Sequence, residues 1–232
     1  MLTLRRAGDR GRTDWDWLDS RHTFSFGEYQ NPKHMGFRSL RVLNDDRVEP
    51  GKGFGEHGHR DMEILSYVLE GALEHRDSLG NGSVIRPGEI QFMRAGTGVR
   101  HSEKNHSPVE PVHFLQIWIL PAAPGLPPAY DQKPVDAAQA SRGLALLASR
   151  DGRNGSIALR QDVDLFLARL AAGEERRHPL ADGRHAYAHL AEGTASVNGV
   201  AMVAGDGAAL SGEKEVVLTG GADAEVLLFD LA

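Results

Sequence analysis

The 232-residue chain is 41% hydrophobic and 25% charged, a globular composition whose apolar surface offsets the entropy of ordering and so excludes wholesale disorder. With 26 Lys and Arg against 32 Asp and Glu, its formal net charge is −6, which argues against a nucleic-acid binder. No apolar run approaches the roughly 20 residues that span a bilayer, and cysteine is absent, which removes disulfides, thiolate zinc sites, iron–sulfur clusters and thiol catalysis.

In chain order, strand-sized apolar runs occur at 37–43, 63–69, 90–93 and 114–120, and again at 163–167, 186–190, 215–218 and 225–229. Turn residues bound most of them, among them Glu70-Gly71, Gly80-Asn81-Gly82, Arg86-Pro87-Gly88, Asn198-Gly199 and Gly220-Gly221. Many short strands punctuated this way predict an all-β sandwich or barrel. The Ala/Leu-rich stretch 136–149 is the one candidate helix. Between Pro121 and Pro128 four of the eleven prolines fall within eight residues. Proline lacks the N–H and fixes φ, so this segment is neither a central strand nor a helix interior. The reading is two small β-domains, 1–122 and 136–232, joined by a Pro-rich linker at 123–135. Closed barrels need no partner to cover their edges, so a monomer is expected. The start of the chain lacks a signal-peptide core, so a cytoplasmic location is expected.

Histidine placement carries the chemistry. His57 and His59 are two residues apart, and residues two apart on a strand share a face. His101 and Glu103 repeat that spacing about forty residues later. One His-x-His pair alone is as common in a solvated loop. Two pairs meeting across a barrel interior supply three imidazoles and a carboxylate, a donor set for iron(II), nickel, manganese, cobalt, copper or zinc. Glycines at 51, 53, 55 and 58 suggest backbone packed closely beside a site. His75, His106 and His113 read as surface or strand residues. His22 and His34 lie in the N-terminal segment, where a pocket-edge role has no support. His185 and His189 share a strand parity but lack a partner segment, so the second half is read as metal-free. Arg60, Arg94 and Arg100 read as solvated or salt-bridged, and Phe92, Met93, Phe114 and Trp118 as core.

These segments resemble the paired motifs of the cupin superfamily. Gly51, His57, His59, Glu63 and Gly71 match the first motif with its last gap one residue long. Gly98, His101 and Asn105 match the second, with Gly96 where a proline usually opens it. The finer resemblance is to the pirin family, carried by residues 57–71 and 93–103 and extending upstream through 17–26 and 36–42; it is strongest over 14–120, most like the short bacterial pirins, and weaker beyond.

The resemblance implies a two-domain bicupin with one divalent transition metal per chain, held by His57, His59, His101 and Glu103. Iron(II) is the expected ion, with the other five as alternatives. It places Glu63 outside the metal's ligands, although the corresponding residue of ordinary cupins is a ligand. Glu103 is read either as a permanent ligand or as a catalytic general base for a substrate hydroxyl. The implied activity is oxidative cleavage of a flavonol such as quercetin with O2 and release of carbon monoxide. The alternative is a regulatory module that binds a protein partner and responds to the redox state of its metal. A third reading is a cupin isomerase, or a hydrolase using metal-bound water.

Overall fold

A computed structural model describes residues 1–232 throughout. In chain order the strands of the first part are β1 (Leu2–Arg5), β2 (Gly11–Trp15), β3 (Leu18–His22), β4 (Leu40–Val48), β5 (Gly53–His59) and β6 (Glu63–Glu70). They continue with β7 (Leu73–Asp77), β8 (Gly82–Ile85), β9 (Glu89–Arg94), β10 (Val99–Asn105), β11 (Val112–Ile119) and β12 (Ala129–Pro134). The second part holds α1 (Ala137–Arg142), then β13 (Ala145–Ser149), β14 (Ile157–Ala158), β15 (Val163–Leu170), β16 (Glu175–Pro179) and β17 (His185–Glu192). It ends with β18 (Thr194–Val197), β19 (Val200–Val203), β20 (Gly207–Ser211), β21 (Glu215–Gly220) and β22 (Ala224–Leu231).

Two compact units result, Gly11–Pro134 and Val135–Ala232 together with Met1–Arg10. In the first, a seven-stranded sheet ordered β12-β9-β6-β11-β4-β3-β2 is accompanied by a four-stranded sheet ordered β5-β10-β7-β8. In the second, sheets of seven strands (β1-β20-β17-β22-β15-β13-β14) and four (β16-β21-β18-β19) repeat the arrangement. Pairing is antiparallel except between β13 and β14.

These boundaries differ from the sequence expectation at two places. The segment read as a linker contains β12, whose backbone pairs with β9 from Ala129↔Arg94 to Pro134↔Glu89. The first residues form β1, which pairs with β20 and so belongs with the second unit. The expected helix also differs. Asp136 caps α1 by accepting from the Gln139 backbone N–H at 2.9 Å, but the helix stops at Gly143. Ala145–Ser149 instead pairs with β15 as β13, so sheet hydrogen bonding overrides the helical preference of Ala and Leu. The run at 37–43 begins as a turn, with Arg38 at φ +56°, and the strand starts at Leu40.

Two features of the first unit position the site. Along β10 burial alternates, with Val99, His101, Glu103 and Asn105 inward and Arg100 and Lys104 exposed. This is the pattern of a strand with one face on the core. Between this sheet and the seven-stranded one, two apolar clusters are separated by a polar row on the larger sheet. Ile64, Met93 and Val99 form one cluster, and Leu18, Val48, Val68, Leu73, Ile85 and Phe114 belong to the other. Between them Gln91, Ser66, Gln116, Asn44 and His22 are successive cross-strand neighbours, all buried.

Candidate metal centre

β5 and β10 bring the histidines together. His101 lies opposite His57 in the ladder, and Val99 opposite His59. Two residues later the register slips, so that Glu103 faces Phe54. The extra residue on β5 is a bulge, and it turns Phe54 to the same side as His57. Of the glycines read as tightly packed, Gly53 fits that description: at φ +152°, a Cβ there would sit 2.3 Å from the Glu103 carbonyl oxygen. Gly51 and Gly55 have no neighbour within 4 Å of that position.

Ring centroids of His57, His59 and His101 are 4.5–4.8 Å apart, and their candidate ligand atoms lie within 4.8 Å of one another. Glu103 is gathered, by the same measure, with His101 and His75. His101 and Glu103 are 2% and 3% exposed; His57 and His59 are half-buried.

The residues fit a divalent transition metal. The His57 Nδ1 lies 2.8 Å from the Gly55 carbonyl oxygen, which fixes the proton on that nitrogen and leaves Nε2 as a lone-pair donor. His101 Nε2 is buried with no hydrogen-bond partner, a costly state for a polar atom unless a ligand satisfies it. Burial pushes the His101 pKa down to about 3, aided by the neighbouring His57 and His75. Burial likewise pushes His59 down to about 4, with His101 and His57 adding to it and Glu103 opposing it. Both rings therefore present neutral imidazole at neutral pH, the form that binds metal.

Glu103 is clamped. Its Oε1 accepts from Ser66 Oγ at 3.0 Å and its Oε2 from Gln116 Nε2 at 2.7 Å. Glu63 is elsewhere: fully buried on the other face of β6, it lies 3.7 Å from Arg94 Nη1.

His57, His59, His101 and Glu103 line a cavity of about 260 Å³. Its apolar lining includes Trp15, Leu18, Phe26, Phe54, Ile64 and Trp118, and its polar lining Ser20, His22, Asn44, Asp46 and Gln116. Trp118, read from sequence as core, is a wall: its ring stands edge-on to His59 at 4.9 Å, and its buried Nε1 has no partner. His22 also lines the cavity. Its Nδ1 lies 2.9 Å from Asn44 Oδ1 and its Nε2 2.8 Å from Thr13 Oγ1. Asp46 accepts a short hydrogen bond from Ser20.

The remaining readings divide. Phe92, Met93 and Phe114 are core. Arg94 pairs with Glu63 and Arg100 with Glu56, and Arg60 is exposed. His106 is on the surface beside Glu74. His113 is buried against Asp45 at 2.6 Å. His75 is neither surface nor bland: it is fully buried, with its ring 5.3 Å from that of His101. No local signal marks it, because its neighbours come from other strands. In the second unit His185 hydrogen-bonds Ser211 and His178 bonds Asp230.

The sequence pattern that defines pirin matches residues 4–119, and that of the quercetinase C-terminal cupin domain matches residues 146–231. The chain belongs to the pirin family. It is 47% identical over 231 residues to the quercetin 2,3-dioxygenase of Escherichia coli K12, covering 100% of this chain and 99% of that one. Two crystal structures of YhhW from E. coli, the second in complex with nickel(II), superpose with TM-scores of 0.96 and 0.95 at 46% identity. Each covers all of this chain, and 98% and 99% respectively of the other. The all-β bicupin expected from the strand pattern and the motifs is the fold of this pirin. No helix in it is long and apolar enough to cross a membrane.

Proposed function

We propose that this pirin is a metal-dependent dioxygenase that opens a flavonol such as quercetin with O2 and releases carbon monoxide. The observation that carries the reading is the set of three converging imidazoles and one clamped carboxylate lining an aromatic-walled cavity. The 47% identical E. coli quercetin 2,3-dioxygenase supports the substrate class, and the nickel(II) complex of YhhW supports a metal. His57, His59, His101 and Glu103 would hold one divalent ion, with iron(II) and nickel(II) both suited to these donors. When bound, the ion lowers the pKa of a coordinating hydroxyl and organises the reactants.

The chain's own residues do the rest. Trp118, Phe26 and Phe54 present flat apolar surface to a planar aromatic substrate and keep water out. Ser66 and Gln116 hold the Glu103 carboxylate in one orientation, with lone pairs left to accept the proton of the flavonol 3-hydroxyl. Asn44 has its oxygen committed to His22, and its two N–H donors remain. With Asp46 it offers a donor and an acceptor to hydroxyls on the far ring of the substrate. In the overall reaction the two oxygens of O2 join the carbons flanking C3, and C3 leaves with its own oxygen as carbon monoxide. The cavity's share is to hold the deprotonated ring where O2 can reach it.

The test is quercetin consumption by metal-defined protein, with and without O2, alongside a His57→Ala/His101→Ala control and trapping of carbon monoxide. Oxygen-dependent loss with stoichiometric carbon monoxide, absent in the control, is the expected result. Oxygen-independent loss would overturn the dioxygenase reading. No loss with iron(II), nickel, manganese, cobalt or copper would move the reading to a metal-responsive regulatory module.

A further inference from the structure

The nitrogen of His101 that faces away from the metal cluster is occupied. Its Nδ1 lies 3.5 Å from Nδ1 of His75, whose Nε2 lies 3.4 Å from Asp77 Oδ2. The side chains of His75 and Asp77 are both fully buried. In the β10–β7 ladder Asp77 is the neighbour of His101 and His75 the neighbour of Glu103, so all four groups share the inner face of the small sheet. Asp77 is itself fixed, accepting from the backbone N–H of Leu79 at 2.9 Å and of Asn81 at 3.0 Å, and from Asn81 Nδ2 at 2.8 Å. Tyr130 stacks on His75 at 5.1 Å and 26°.

With one proton on each imidazole, donor and acceptor roles along this chain have one consistent assignment. A carboxylate only accepts, so His75 carries its proton on Nε2 and donates to Asp77. His75 Nδ1 is then an acceptor, and His101 must carry its proton on Nδ1 to donate to it. The lone pair of His101 is thereby placed on Nε2, the buried atom that lacks a protein partner.

We propose that His75 and Asp77 are positioning residues for the metal centre, setting the tautomer and ring orientation of His101 through an aspartate–histidine–histidine chain. The proposal rests on the metal reading of the site. It distinguishes His75 from a fourth imidazole ligand, although His75 is gathered with His101 and Glu103. Both His75 nitrogens face other protein groups, and it does not line the cavity that His57, His59, His101 and Glu103 share. Groups that orient a ligand imidazole in this way are worth about 10–100-fold in metal affinity.

Two measurements test it. In the full-length, metal-free protein labelled with ¹⁵N-histidine, ring nitrogen shifts and couplings should show the proton on Nδ1 of His101 and on Nε2 of His75. A proton on Nε2 of His101, or on Nδ1 of His75, overturns the proposal whatever the variants do. Cobalt(II) titration followed by ligand-field absorption is the second measurement. His75→Leu removes the acceptor and should weaken cobalt binding about 10–100-fold and shift the bands. His75→Gln keeps an acceptor oxygen and should recover most of both. Unchanged affinity and spectrum in a folded His75→Leu protein overturns the proposal, as does equal loss in the Leu and Gln variants. Complete loss of the metal in His75→Gln would make His75 a ligand. If the wild-type chain takes up no cobalt, the metal reading fails separately, and the ring-nitrogen measurement still decides the tautomer chain. The same measurement decides if a variant fails to fold.

Discussion

The side-chain amide of Gln116, on the large sheet, donates to the carboxylate of Glu103, on the small one, at 2.7 Å. Both groups are buried, and this bond with its Ser66 counterpart couples the two layers of the sandwich at the candidate centre. Glu103→Gln should reduce flavonol turnover by about 10²–10⁴-fold if the carboxylate takes the hydroxyl proton. Gln116→Leu, which only frees the carboxylate, should cost about 10–100-fold, with the metal still bound. Steady-state kinetics with metal analysis of each variant checks the ordering. A Gln116→Leu enzyme as impaired as Glu103→Gln would contradict it.

Metal should stabilise the fold. Nickel(II) at about one hundred times its Kd is expected to raise the unfolding free energy by ~2.7 kcal/mol, reversed by a chelator. The His57→Ala/His101→Ala protein should show no such shift. Thermal melts with and without nickel(II) read this directly, and equal shifts in both proteins would place the metal elsewhere.

Asp46 is 3% exposed and lines the cavity. Truncation to Ala should raise KM for a substrate with far-ring hydroxyls by about tenfold or more, the worth of a hydrogen bond to a charged group. A flavonol lacking those hydroxyls should discriminate much less between the two enzymes. Equal effects on both substrates would remove Asp46 from substrate recognition.

Gly53 permits the close approach of β5 to the backbone of β10 at Glu103. Gly53→Ala combines a disfavoured φ with a backbone clash and should cost about 1–3 kcal/mol, seen as a lower urea midpoint. The contrasting substitution at Gly55, where no atom lies within 4 Å of a Cβ, should be far milder.

In the second unit, burial alone would raise the Asp230 pKa. Hydrogen bonds from His178 and Arg184, and their charges, outweigh it and hold the carboxyl below its ordinary value. A depressed folded-state pKa contributes stability that is present above the unfolded pKa, near ~3.9, and is lost as pH falls through the folded one. Asp230→Asn, which leaves Arg184 paired with Asp162 but removes a charged acceptor, should cost about 1.5–3 kcal/mol at neutral pH and flatten the acid limb of the stability curve below about pH 4. Denaturant titrations across pH 2–7 test this; an unaltered acid limb would assign that limb to other carboxylates.

Short apolar runs between turn residues determined the β class, because the period of a strand is local and needs only a few residues to be visible. The same period determined that His57 shares a face with His59, and His101 with Glu103. The motif resemblance tied those pairs to one family. What only the tertiary structure decided are relationships between strands far apart in the chain. His75 reads as an ordinary strand residue until β7 is laid against β10 and its ring meets His101. Trp118 reads as core until the cavity opens beside it. The bulge that turns Phe54 toward His57, the polar row from Gln91 to His22, and the grouping of Met1–Arg10 with the second unit all depend on register and pairing partner. Those are set by long-range backbone hydrogen bonding and by which faces are buried together, and no window of local sequence carries them.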